Sequence, residues 1–378
     1  MLNFCGTKNF NIMIRTSLYD HFSQLPDPRL NRNKKHNLTD IIVLSILAVI
    51  CGAESWDSIE EFGKARIDFL KKVLSLPNGI PSHDTINRVF SMLKPDKFEA
   101  VFISWADTLR DKTIPNDVIA IDGKTVCGSK DSFHKKSPIH IVSAWSNGNQ
   151  LVLGQRKVDG KSNEITAIPE LIEMLDIKGS IVTIDAMGTQ KNIAATIVNN
   201  NANYILALKG NQGYLKEDVE SLCKRMKPDS EIEVVEKGHG RIETRNCKVY
   251  QQIQLLENLE DWKGLQSVVQ ITSTREIREK KTIEVRQYIS SFPGNAEEFN
   301  KYIRFHWGIE NSLHWTLDMT FREDEQRKRE KHSAQNFAVI RKIVLNLLKQ
   351  EDSNKLSLRT KRLKAGWDNN FLLKILKI

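Results

Sequence analysis

The sequence predicts an α/β fold: a mixed sheet with an antiparallel hairpin edge, a helical segment before it and a β-rich stretch inside it. Three observations carry this. Residues 17–110 show apolar residues at helical spacing. Short apolar runs then begin abruptly near residue 115, three of them strand-like in succession before a helix intervenes. Four charged, alternating segments fill residues 225–292 before helical spacing returns.

In the first part, Leu38–Gly52 reads as a buried helix. Ile59–Leu76 carries Ile59, Phe62, Ile67, Leu70 and Leu74 at helical spacing, and Pro77–Pro81 is a turn. Ser82 caps a short helix to about Leu93, and Phe98–Arg110 is another. Val118–Ile121 is a strand ending at Asp122-Gly123. Ile139–Trp145 and Leu151–Val158 form a hairpin through Ser146-Asn147-Gly148-Asn149. Glu164–Leu175 is an amphipathic helix, with Ser162 or Asn163 as its cap. Ile181–Ile184 is a buried strand ending at Asp185, Ile193–Val198 is helical, and Tyr204–Leu208 is a strand. Glu231–Val235, Arg241–Tyr250, Gln266–Arg275 and Thr282–Ser291 read as strands with charged faces, forming a subdomain outside the core sheet. Ala296–Leu313 is helical. Leu313, Trp315, Leu317, Met319 and Phe321 alternate at period two, so a break is expected there. Ser333–Gln350 is a helix. This divides the chain into an N-terminal helical domain over 1–112 and an α/β core over 113–350 that carries the β-rich 225–292. A basic tail covers 351–378, and past Asp352 it holds seven Lys/Arg against one Asp.

The chain has 378 residues, 40% hydrophobic and 27% charged, which excludes collagen-like and wholly disordered classes. Its net charge of +9 favours a polyanionic partner, nucleic acid before anionic membrane. The longest apolar run, Ile41–Cys51, is too short to span a bilayer, which takes about 20 residues. Residues 1–15 lack a leader's continuous apolar stretch. The five cysteines are scattered and free of any CxxC pair, as expected of reduced thiols in a cytoplasmic protein.

Asp122 and Asp185 each follow an apolar strand and precede a small residue. Ligands of open α/β sheets bind at the carboxyl ends of strands. A lone aspartate there is as readily a turn cap. Two on neighbouring strands need a cation, and hard oxygen ligands suit Mg²⁺ or Mn²⁺. Glu310 is the best third acid, one turn beyond His306 on a helical face with Phe299 and Ile303.

Longer phrases carry a resemblance. Leu76-Pro-Asn-Gly-Ile-Pro-Ser-His-Asp-Thr85, Ala120-Ile-Asp-Gly-Lys-Thr125, Val182-Thr-Ile-Asp-Ala-Met-Gly188, Leu208-Lys-Gly-Asn-Gln212, Gly238-His-Gly-Arg-Ile-Glu-Thr-Arg245 and His306-Trp-Gly-Ile-Glu-Asn311 resemble the H-repeat-associated transposases of bacterial insertion sequences, in order, from about residue 20 to 350. The resemblance implies an RNase H-like core whose DDE triad falls on Asp122, Asp185 and Glu310. It also implies Mg²⁺ or Mn²⁺ as cofactor, and double-stranded DNA (terminal inverted repeats and target) bound by two copies of the chain. One departure stands out. The wider superfamily's Tyr-x₂-Arg-x₃-Glu-x₆-Lys signature is replaced here by Ile303, His306 and Leu317, with Arg304 or Arg322 as spatial substitutes.

Further DNA contacts are expected of Lys124 and Lys209 at the strand ends, and of Arg241 and Arg245 on one face of a strand. Arg304 and His306 flank the glutamate. His83, Asn87 and Arg88 project from a helix like the second of a helix-turn-helix. Arg29–His36 is a basic loop. Trp307 and Trp315 fit core packing better than base stacking. Three functions compete: a transposase, a nuclease that only hydrolyses, and a catalytically silent DNA-binding relic.

Overall fold

The computed structural model describes residues 18–158, 163–238, 240–278, 280–352 and 355–376. The leader reading for residues 1–15 and the capping role of Ser162 lie outside the described residues.

The N-terminal helices are α1 (Leu38–Ile50), α2 (Trp56–Ala65), α3 (His83–Met92) and α4 (Pro95–Thr108). Asn37 caps α1, a Ser55/Ser58 capping box opens α2, and Ser82 caps α3 as expected. Pro95 both stops α3 and occupies the first turn of α4, where its missing N–H costs nothing. All thirteen residues of α1 are buried.

Among the described residues the strands are β1 (Val118–Val126), β2 (Ile139–Ser146), β3 (Leu151–Lys157), β4 (Ile181–Ile184), β5 (Asn203–Leu208), β6 (Ser230–Gly238), β7 (Arg241–Tyr250), β8 (Ser267–Ile277) and β9 (Lys280–Ser290). They form one sheet in the order β3-β2-β1-β4-β5-β9-β8-β7-β6. The β1-β2-β3 meander is antiparallel, and β1-β4-β5 run parallel. Helices α5 (Glu164–Glu173) and α6 (Lys191–Asn199) make the crossovers, and Asn163 caps α5. Helix α7 (Gly213–Arg225) leads into the β-rich stretch. Past β9 come α8 (Ala296–Gly308), a π-helical turn (Ile309–His314), α9 (Trp315–Met319) and α10 (Ser333–Gln350). Helices α11 (Leu358–Trp367) and α12 (Asn369–Leu376) close the chain.

Two expectations are corrected, and the residues read only as a basic tail prove to be folded. Residues 225–292 are β-rich, but they do not stand outside the core sheet: β9 pairs with β5 from Ile205↔Ser290 to Leu208↔Gln287. An unpaired β5 edge would leave backbone groups unsatisfied beside the core. Ser290 and Ser291 reinforce the join, Ser290 Oγ donating to the Tyr204 carbonyl and Tyr204 N–H donating to Ser291 Oγ. Gln287–Ser290 are buried, whereas Lys280–Val285 are exposed, so β9 lies half within the core and half beyond it. The period-two stretch is also helical. Leu313, Leu317 and Phe321 are buried at intervals of four, while Trp315 and Met319 face out. Finally, the basic tail folds. Arg362 donates to the Val49 carbonyl at the end of α1, and Phe371, Leu372 and Ile375 join a core built from α1–α4, α9 and α10.

Candidate active site

The last register pair joining β1 to β4 is Ile121↔Ile184, so Asp122 and Asp185 are the next residues on neighbouring strands. Strand β1 itself runs on to Val126 along β2, so Asp122 lies within the strand, at the point where parallel pairing stops. Asp185 turns the chain: its Oδ1 accepts from the N–H groups of Met187 (3.0 Å) and Gly188 (3.3 Å). Glu310 comes from the π-helical turn after α8 and is exposed. All three line one cleft of about 780 Å³, with Lys209, Arg286, His306 and Trp307.

The charge here is unbalanced. Burial, with the nearby carboxylates of Glu164, Asp185 and Glu310, pushes the Asp122 carboxyl up to about 7 against the pull of the Gly123 N–H. His314 Nδ1 sits 3.6 Å from Asp122 Oδ2, but burial drives that imidazole down to about 3, so it is neutral and offers no counter-charge. His306 is held low by burial too, its Nδ1 against Thr183 Oγ1 at 3.1 Å. Oxygen donors with uncompensated negative charge fit a hard divalent cation in kind and in sign. Among the described residues no three such side chains are drawn into a finished ligand shell; the acids face a shared cleft instead.

The expected DNA contacts divide. Lys209 and His306 line the cleft. Arg245 and Arg304 line an adjoining groove that shares Trp307 and Arg286 with it. Arg304 is ion-paired with Glu236, and Arg241 with Glu243 at 2.8 Å. Lys124 is ion-paired: its ammonium meets Asp318 at 2.8 Å and Asp324 at 3.0 Å. His83, though exposed, is tied to Glu60 (2.7 Å), Asn87 accepts from Ser333 Oγ (3.0 Å), and Arg88 is exposed. Arg29 grips Asp27 with two nitrogens and donates to the His36 carbonyl, so it builds its loop and does not project from it. Both tryptophans depart from core packing: Trp315 is 61% exposed, and Trp307, 36% exposed, carries the Arg286 guanidinium 5.1 Å from its ring centroid. Two acids further along the chain are committed elsewhere, Glu323 buried on Arg341 and Asp324 on Lys124. Arg322 pairs with Glu325.

Some of the site escaped sequence reasoning. Helix α7 supplies Lys216, Glu220 and Lys224 to the cleft wall, and its Leu215, Val219 and Leu222 carry the helical spacing that would have revealed it. Arg286 was hidden in a charged strand. No spacing signal links Glu164 or His314 to Asp122.

Two aspartates at the carboxyl ends of adjacent parallel strands, with a third acid on a facing helical turn, define the class: an α/β protein with its cleft at the strand ends. Comparison with known proteins makes this particular. Residues 114–347 match the family described as "Transposase DDE domain", and residues 19–106 match the one described as "DDE_Tnp_1-associated". Two relatives from Escherichia coli (strain K12) are 45% identical over 372 residues, 95% of this chain and 97% of each relative: "H repeat-associated putative transposase YhhI" and "Putative protein YbfL". The chain belongs to the DDE transposase family, and its core is RNase H-like.

Proposed function

We propose that the protein is an insertion-sequence transposase that cleaves DNA at the ends of its element and joins the freed 3′-hydroxyl to target DNA. The observation that supports this most is the convergence of Asp122, Asp185 and Glu310, from three separate elements, on one cleft. These residues would hold Mg²⁺ or Mn²⁺. Bound there, divalent cations supply activation of water or a 3′-hydroxyl and charge stabilisation at the leaving oxygen.

The chain's own residues do the rest. Lys209 and Arg286 face the cleft and pair with phosphate oxygens. His306, neutral and fixed by Thr183, stands where the wider superfamily has arginine, so it serves as a hydrogen-bond partner without adding charge. The net charge of +9 suits double-stranded DNA, bound by a pair of copies in the cytoplasm. Among the described residues no helix is long and apolar enough to cross a membrane.

The test is incubation of the purified chain with its flanking inverted repeats and Mg²⁺. Cleavage is expected from the wild type and from Glu323→Gln where that variant folds. It should be lost in Asp185→Asn and Glu310→Gln while DNA binding persists. Cleavage by Glu310→Gln at near wild-type rate would overturn the assignment. A pre-nicked end with a free 3′-hydroxyl separates transposase from nuclease: a nuclease leaves it unjoined, and a silent relic neither cuts nor joins.

A further inference from the structure

A fourth carboxylate approaches Asp122 from the helical layer. Glu164 opens α5 behind the Asn163 cap. Its Oε1 lies 2.6 Å from His140 Nε2, and His140 Nδ1 lies 2.9 Å from Thr125 Oγ1. Thr125 and His140 are direct cross-strand partners on β1 and β2. The chain Thr125–His140–Glu164 therefore crosses the strand pair and ends over Gly123. A Cβ at residue 123 would stand 2.2 Å from Glu164 Oε1 and 2.4 Å from His140 Nε2, closer than any side chain tolerates. Glycine is what lets this carboxylate settle against the strand, one residue from Asp122.

Burying a carboxylate beside other carboxylates is costly. With its side chain 14% exposed, Glu164 is committed to that place. Neighbouring residues of a strand point to opposite faces, so the Glu164 carboxylate lies across the thickness of β1 from the Asp122 side chain. A glutamine would make the same hydrogen bond to His140 without that repulsion, so fold alone does not call for an acid here.

We propose that Glu164 is a positioning residue of the acidic site, its carboxylate held over Gly123 by His140 and Thr125 so that a fourth negative charge sets how tightly the cleft takes a divalent cation. This rests on reading Asp122, Asp185 and Glu310 as the metal ligands.

The experiment is Mn²⁺ titration of the full chain, with free Mn²⁺ read by electron paramagnetic resonance and thermal unfolding followed with and without metal. Glu164→Gln preserves size and the bond to His140. Its half-saturating Mn²⁺ concentration should rise on the order of tenfold, as expected when a unit charge is removed from a partly buried site. Its metal-free Tm should hold or rise, since a repulsion is gone. Glu164→Asp should recover part of the affinity. Unchanged Mn²⁺ binding in Glu164→Gln, with or without a lowered metal-free Tm, would overturn the proposal and leave Glu164 a structural residue. An Asp122→Asn variant that binds Mn²⁺ like the wild type would overturn the metal-site reading itself, and this inference with it.

Discussion

Lys328 shows how far a single side chain can stand from its ordinary state. Its ammonium donates to the Glu54 carbonyl at 2.6 Å and lies 3.8 Å from the centroid of the Phe337 ring. Burial pushes it down to about 6, with Arg341 adding to the effect. In the unfolded chain the group titrates near 10.5. Between pH 6 and 10.5 the unfolded state thus binds more protons, and stability rises with pH. The slope is at most about 1.4 kcal/mol per pH unit. Lys328→Met removes that term. The variant's stability relative to wild type should be greatest near pH 6 and decline steadily towards pH 10, as read by chemical denaturation across the range. A pH-independent difference would mean that the Phe337 face keeps the lysine charged in the folded state. Gly123 gives a second test at this scale. Gly123→Ala forces Glu164 and His140 away and should cost roughly 1–3 kcal/mol, the usual range for overpacking. An unchanged unfolding midpoint would show that the Glu164 side chain moves aside freely.

At the scale of elements, what could be read from the sequence was what local periodicity controls. The strands that bear Asp122 and Asp185 were legible because apolar runs stop at a carboxylate. The helices of residues 38–108 were legible from their caps and spacing. The sheet's continuation was not, because pairing of β9 with β5 is a long-range choice that no local pattern encodes. The ion pairs of Lys124 escaped for the same reason: Asp318 and Asp324 are distant in sequence and reach it only through the fold. The stretch from Leu313 to Phe321 is a third case, since residues four apart satisfy a period of two as well as one of 3.6. Its helical state makes a prediction. Leu317 is 1% exposed in the shared core, so Leu317→Ala should cost about 2–5 kcal/mol, whereas Met319→Ala, at 63% exposure, should shift the unfolding midpoint little. Equal costs at the two positions would contradict the helix.

For the whole molecule, the N-terminal helices and the helices past residue 357 share one core. Helix α10 is tied to the edge strand β3 by Asn346, which accepts from the Val152 N–H and donates to its carbonyl, both at 2.8 Å. Behind it, α11 packs against α1 and α10, and α12 packs against α10 and α11. Arg362 donates to the Val49 carbonyl, which also accepts from the Gly52 N–H, and Lys361 donates to the Leu348 carbonyl at 3.0 Å. Phe371, Leu372, Ile375 and Leu376 are buried there. At about 1.5–3 kcal/mol for each large apolar side chain, their burial is comparable with the 5–15 kcal/mol that holds a typical domain together. A chain ending at Asp352 should therefore lose cooperative unfolding in scanning calorimetry or drop its midpoint by tens of degrees. It would expose α1, whose residues are all buried in the intact protein, and aggregate. Leu363→Ser is the control, because Leu363 is 46% exposed on the same helix and its loss removes little buried area. A truncated chain that melts within a few degrees of the full one would mean that α11 and α12 are an appendage. The core of α1 and α10 would then have to be complete without them.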